Sequence, residues 1–355
     1  AAAAVRRAGR RMKAFSIGFE GTTFDETPYA RLVAERLGIE LVTETLRAES
    51  LLDVVDLALD RLDEPLADPS FLPTYLLSRL AARQVKVVLG GDGGDELWGG
   101  YPTYRAHRYA RLYACLPAWI RSRLIGPALA RLPIDDRYQS LEWKLRRFTE
   151  RWDDDPIRRH LRWMSSADLP DLAAAVPAAR GLVPPTFGAS LPNTADGLHR
   201  ILALDFVTYL PGSVLTKVDR ASMAHGLEVR PPLLDNALLD LAFSLPSRLK
   251  LRGERGKYLL KRAVQGKVPD AIIARPKKGF GIPLAAWLRG PLARRMASVL
   301  RDSPLWDTGL VDQRTFRAWH AEHQARQRDR SKPLWALYVL DRWLRRAGLR
   351  SSGGS

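Results

Sequence analysis

Val85-Lys86-Val87-Val88-Leu89 reads as a short strand. It runs directly into Gly90-Gly91-Asp92-Gly93-Gly94-Asp95-Glu96-Leu97-Trp98-Gly99-Gly100-Tyr101. Six glycines and three acids in twelve residues form a composition suited to a ligand loop. Glycine permits positive φ and lets the backbone approach a ligand closely. In open α/β sheets ligands sit beyond the carboxyl ends of strands, where this loop falls. Asp92, Asp95 and Glu96 offer hard oxygens, which suit Mg²⁺ better than zinc or copper. A solvated glycine-rich turn is the plain alternative. The loop is not a dinucleotide fingerprint, because the third glycine is missing at the required offset and no ribose-binding acid follows. It is not a P-loop either, lacking the Gly-Lys-Ser/Thr ending.

Working outward, the chain before this loop alternates strand and helix. Lys13 to Gly18 and Glu40 to Glu44 read as strands. Tyr29 to Leu37 reads as a helix with Pro28 in its first turn and Gly38 at its end. Leu51, Val54, Val55, Leu59 and Leu62 recur at helical spacing, and Thr74 to Gln84 forms another helix. This alternation predicts an α/β fold with a parallel sheet covered by helices. After about Tyr104 strands are no longer expected. Residues 105 to 165 are arginine- and tryptophan-rich helical patterns broken by prolines, and Ala173 to Ala195 reads as a connector. Helices resume from Ile201, including Leu233 to Leu245, Lys257 to Val264 and Trp335 to Trp343. The division expected is 1–116 as a nucleotide-binding core, 117–200 as helical insertion and connector, 201–350 as a helical part completing the site, and 351–355 as a disordered tail.

The chain has 355 residues, 46% hydrophobic and 27% charged, an ordinary globular composition. No apolar run approaches the ~20 residues of a membrane span. Ala1 to Arg11 is apolar and then basic, opposite in order to a secretory signal. The single cysteine, Cys115, leaves no internal disulfide and reads as buried packing in an apolar helix. A reducing, cytoplasmic setting is expected. The net charge of +17 raises nucleic-acid binding, but the arginines are scattered and match no nucleic-acid motif. The expected partners include neither nucleic acid nor membrane.

At the Gly90 loop the chain resembles the asparagine synthetase family, which carries Gly-x-Gly-x-Asp-Glu-(aromatic or Leu)-x-Gly-Gly-Tyr at this strand end. Further stretches agree in order: Phe15 to Phe19 with Phe24-Asp25-Glu26; Glu64 to Ser70; Tyr209-Leu210-Pro211 through Leu215 to Ala224 and on to Leu227 to Asp235; then Gly256-Lys257-Tyr258 to Lys261 and Arg275-Pro276-Lys277-Lys278-Gly279-Phe280. The resemblance covers roughly residues 13 to 110 and 200 to 345. It implies a sheet of the adenine-nucleotide α-hydrolase type, as in PP-loop ATP pyrophosphatases, followed by a mostly helical region. It also implies a two-step reaction. The side-chain carboxylate of aspartate attacks the α-phosphorus of Mg-ATP, giving an acyl-adenylate and pyrophosphate, and ammonia then gives asparagine and AMP.

The resemblance assigns roles by position. Ile17 and Gly18 would present backbone to adenine. Gly90 and Gly91 would border the nucleotide, and Lys257 would contact phosphate or the acyl group, with a plain surface charge as its alternative. Asp95 would hold Mg²⁺, Asp92 would face the acyl-adenylate as a base toward ammonia, and Lys277 would meet charge building on the α-phosphate. Asp219-Arg220 and Glu228-Arg230 read as internal ion pairs, and Asp68 as a helix cap or site residue. The family places Ser-Gly-Gly-x-Asp-Ser-Ser ahead of the Phe15 strand, and Ala1 to Val5 resembles the helix after it. The sheet is therefore expected to miss its first strand, and the chain alone to make no acyl-adenylate. A glutaminase domain is expected in the intact enzyme and a homodimer is a candidate assembly. The same motifs serve amidotransferases and cyclases acting on other carboxylates, and a noncatalytic remnant is the remaining alternative.

Overall fold

The computed structural model describes residues 12–19, 25–46, 48–135, 140–182, 191, 194, 196–277 and 279–348. Ala1 to Val5, Phe24, Lys278 and the 351–355 tail, on which readings above depend, lie outside the described residues. The chain forms two compact units that interleave along the sequence: 1–47, 70–108 and 187–281 make unit 1, and 48–69, 109–186 and 282–355 make unit 2. The serial division read from composition differs from this, because each unit is completed by segments far apart in the chain.

Unit 1 carries the strands. β1 (Lys13–Phe19) pairs in parallel with β2 (Glu40–Leu46), and β3 (Val87–Leu89) pairs in parallel with β4 (Glu228–Arg230). Parallel neighbours need a crossover, and the Thr27–Leu37 helix supplies it for the first pair. Its predicted punctuation is observed: proline in the first turn and Gly38 at φ 64° closing the end. β4 is the strand the sequence reading missed. Three residues with only Val229 facing inward leave no periodicity to read.

The Phe71–Ala82 helix is almost wholly buried and packs against β1 and against the Thr216–Met223 helix. The stretch Gly197–Met223 has the length and apolarity of a membrane span. Its Ile201, Leu202 and Leu204 are core residues of unit 1, which accounts for that apolarity. At Leu210–Leu215 the helix widens to a π turn that contains Pro211, which lacks the N–H an α ladder needs.

Behind the glycine loop, Tyr104 is fully buried and its hydroxyl donates to Asp205 Oδ2 at 2.6 Å, with Asp205 itself 1% exposed. Replacing Tyr104 with phenylalanine is expected to cost about 1.5–3 kcal/mol, the range for a hydrogen bond to a charged group. Urea unfolding at unchanged slope would measure it, and a loss below experimental error would refute it.

Unit 2 is helical. Its last helix, Ser331–Arg346, buries Leu334, Trp335, Leu337 and Tyr338 against the Ala48–Leu59 helix and the helices of residues 284–324. Arg342 closes this packing with a two-pronged pair to Asp60 at 2.7 and 2.6 Å, the stronger arginine–carboxylate geometry. Cys115 departs from the expected burial. It is exposed, because the Pro102–Ala114 helix ends just before it and the neighbouring Leu112 also faces solvent.

Candidate active site

β3 ends at Leu89, and the Gly90 N–H donates to Arg230 O at 2.9 Å, carrying the strand pairing into the loop. A Cβ on Gly90 would lie 2.7 Å from Asp92 Oδ2, so only glycine lets this carboxylate fold back onto the strand end. Gly93, at φ 81°, turns the chain into the short helix Gly94–Trp98, which stops at Gly99, φ 68°. Asp95 and Glu96 are neighbours in its first turn and part company there. Glu96 is 1% exposed and accepts from the Tyr101 hydroxyl at 2.7 Å. Asp95 turns instead toward two lysines.

Lys277 Nζ lies 2.8 Å from Asp95 Oδ2, and Lys257 Nζ lies 3.0 Å from Oδ1. The Lys277 ammonium also stands 5.9 Å from the Tyr101 ring centroid. Lys257 is held by its backbone: its N–H donates to Trp98 O at 2.9 Å and its φ is +54°. A left-handed lysine is costly and persists only where the surroundings impose it. Trp98 belongs to the core with Leu97 and Ala242, so the loop and Lys257 are fixed to one packed cluster.

The two loop aspartates differ electrostatically. Burial pushes Asp95 up, but Lys277 and then Lys257 outweigh it and hold the carboxyl below the usual range. For Asp92 burial prevails over Lys217 and Lys277 and raises it. Neighbouring carboxylates driven in opposite directions are suited to different tasks: Asp95 stays an anion that can receive a cation, while Asp92 is closer to exchanging a proton.

Six residues singled out from sequence therefore meet here: Gly90, Gly91, Asp92, Asp95, Lys257 and Lys277. Ile17 and Gly18 lie in the other strand pair. Ile17 is buried, and a Cβ on Gly18 would meet Thr27 Oγ1 at 2.7 Å. The segment after β1 reaches the site's second lysine stretch through Arg275, which pairs with Glu26 and lies 4.0 Å from the Tyr29 ring centroid. Asp219–Arg220 and Glu228–Arg230 are local, exposed pairs at 2.6 and 2.7 Å, not ties between elements.

Sequence reasoning gave no role to Lys217, whose ammonium donates to Ser70 Oγ at 2.9 Å and acts on Asp92. A lysine in the first turn of a helix, just after a proline-broken turn, was the available signal. Asp68, read as a cap or site residue, acts electrostatically on Lys332 in unit 2.

Among the described residues no group of three or more histidines, cysteines or carboxylates could hold a metal ion. One carboxylate between two ammonium groups does not make a resident metal cage. It does suit Mg²⁺ arriving on phosphates, which typically takes only one or two protein carboxylates.

The family model described as asparagine synthase matches residues 1–345. The chain is 29% identical over 346 residues to asparagine synthetase [glutamine-hydrolyzing] 1 of Bacillus subtilis, covering 94% of this chain and 52% of that protein. It is 32% identical over 350 residues to the putative asparagine synthetase [glutamine-hydrolyzing] of Mycobacterium tuberculosis, covering 97% and 52%. Amidase chyE of Penicillium rubens is 26% identical over 347 residues, covering 88% and 49%. The chain spans about half the length of the curated relatives it matches.

Proposed function

The chain belongs to the asparagine synthase family, and from that premise we propose that it carries the carboxylate-activating half of glutamine-dependent asparagine synthesis. The aspartate side chain would be adenylated by ATP and the acyl group passed to ammonia. The observation that supports this most is the meeting of Lys257 and Lys277 on Asp95 at the end of β3. Two fixed ammonium groups beside one anion suit a polyphosphate with its magnesium. With the nucleotide bound, its phosphates would take the place of Asp95 as partners of the lysines, and Asp95 would hold the magnesium. Lys277 then faces charge developing at the α-phosphate, where a preorganised cation contributes most. Asp92, raised by burial, is placed to take a proton from the attacking ammonia. Gly90 and Gly91 leave the nucleotide room along the loop, and the backbone of Ile17 and Gly18 borders the adenine. This reading sets both strand pairs in one parallel sheet. Ammonia would come from a glutaminase domain, in keeping with the relatives' printed names and greater length.

A relative named amidase matches over nearly as much of the chain, so the activated carboxylate carries a second reading, one other than that of aspartate. The test is substrate-dependent pyrophosphate release by a polypeptide in which a Ser-Gly-Gly-x-Asp-Ser-Ser segment precedes Ala1. Release that requires aspartate, ATP and Mg²⁺ is the expected result. Release with a different carboxylate alone selects the second reading, and failure to bind ATP removes both.

A further inference from the structure

The chemistry above needs the Lys277 ammonium to stay aimed while its anion changes. Free, it faces Asp95 at 2.8 Å; with nucleotide bound it would face phosphate. An aim that survives this exchange requires a neighbour that is neither the aspartate nor the nucleotide. Tyr101 is placed to be that neighbour. The Lys277 Nζ stands over the Tyr101 ring, 5.9 Å from its centroid, within reach of a cation–π contact. A ring attracts the cation through its quadrupole and takes none of the ammonium's N–H donors. Those donors stay available to phosphate oxygens.

The ring itself is held from behind. The Tyr101 hydroxyl donates to Oε1 of the buried Glu96 at 2.7 Å. Burial and then the Glu96 carboxylate push this hydroxyl up, so it stays a donor. Burial also raises Glu96, and the hydrogen bond from Tyr101 is the largest effect opposing it. The ring lies 5.6 Å from that of Tyr104 and edge-on to that of Tyr209 at 5.8 Å, and Tyr104 is anchored in turn on Asp205. Gly100 makes the close seating possible, because a Cβ there would collide with Asp95 Oδ1 and Lys257 Cε. Asp95 and Glu96, adjacent on one short helix, thus hold two sides of one frame: Asp95 binds the ammonium and Glu96 the ring beside it.

We propose that Tyr101 is a positioning residue: its ring, anchored through Glu96, keeps the Lys277 ammonium aimed at the α-phosphate once Asp95 has turned to magnesium. This role rests on the adenylation reading above. In the polypeptide extended by the Ser-Gly-Gly-x-Asp-Ser-Ser segment, Tyr101→Leu is expected to lower kcat for aspartate-dependent pyrophosphate release about tenfold, with KM for ATP within about twofold. Tyr101→Phe keeps the ring and should hold kcat within about threefold, although it leaves Glu96 without its donor and lowers the unfolding temperature. In a Lys277→Ala background Tyr101→Leu should change kcat no further, because residues that act through one another are not additive. A role in stability alone would instead give both variants losses that follow their unfolding temperatures and persist without Lys277. The chain itself offers a readout that needs no turnover. A cation–π contact favours the charged amine, which does not acylate. Substoichiometric acetic anhydride, read by mass spectrometry, should therefore label Lys277 about threefold faster in Tyr101→Leu and at the parent rate in Tyr101→Phe. The proposal is overturned by equal labelling of Lys277 in the parent and a folded Tyr101→Leu, by an unchanged kcat in Tyr101→Leu, or by a fall in kcat that persists in Lys277→Ala. Absence of aspartate-dependent release from the parent overturns the adenylation reading instead, and the labelling ratio still decides whether Tyr101 holds Lys277.

Discussion

In the polypeptide extended by the Ser-Gly-Gly-x-Asp-Ser-Ser segment, Lys277→Ala is expected to lower the rate of aspartate-dependent pyrophosphate release by about 10²–10³, the usual cost of removing one preorganised group that stabilises transition-state charge. The fall should appear in kcat more than in KM for ATP, since an interaction realised mainly in the transition state accelerates the chemical step. Geometry supports this weighting. The ammonium is held 2.8 Å from Asp95 with the Tyr101 ring beside it, so little reorganisation is needed when charge develops. Lys257 remains on Asp95 in the variant, which keeps that carboxylate paired and the fold intact. Lys277→Arg is not a rescue in this setting, because the planar guanidinium cannot occupy the place of a compact ammonium. A folded Lys277→Ala enzyme within threefold of the parent rate would exclude Lys277 from the chemistry.

Part of this site was legible in the sequence: composition carried the loop, and the resemblance to the asparagine synthetase family carried Lys257 and Lys277. The glycine density after β3 marked the loop, and Gly38 marked a helix end through the conformation it alone adopts cheaply. What composition could not separate were neighbours with opposite fates. Asp95 and Glu96 are chemically alike and adjacent, and the turn of one five-residue helix decides which faces the lysines and which faces Tyr101. The pairing of Asp95 with Lys277 is a contact between distant segments that no local pattern encodes. β4 escaped for a related reason. Its strand character comes from pairing with β3, not from its three residues. Cys115 was misplaced because an apolar stretch was read as buried when it caps the end of a helix whose outer face is solvated.

The second large effect is expected from Gly256→Ala, a change of one methyl group outside the loop. The φ of Gly256 lies outside the left-handed region, so alanine meets no backbone penalty there. The obstacle is space: its Cβ would fall 2.4 Å from the carbonyl oxygen of Gly99. That oxygen cannot move aside alone. Gly99 follows Trp98, which is anchored in the core, and the next residue on the other side, Lys257, is tied to Trp98 O at 2.9 Å. The two segments must separate together, at about 1–3 kcal/mol for an overpacked contact. Separation draws the Lys257 ammonium away from Asp95 and relaxes the left-handed turn that aims it. A misplacement near 1 Å in a catalytic arrangement can cost about 10²-fold in rate. Gly197→Ala provides the control: nothing lies within 4 Å of its Cβ, and alanine at a helix start should leave rate and stability unchanged or slightly improved. Thermal unfolding and pyrophosphate release measured on both variants give the ordering. If Gly256→Ala matched Gly197→Ala in both measurements, the close seating of Lys257 against the glycine loop would not be what organises this site.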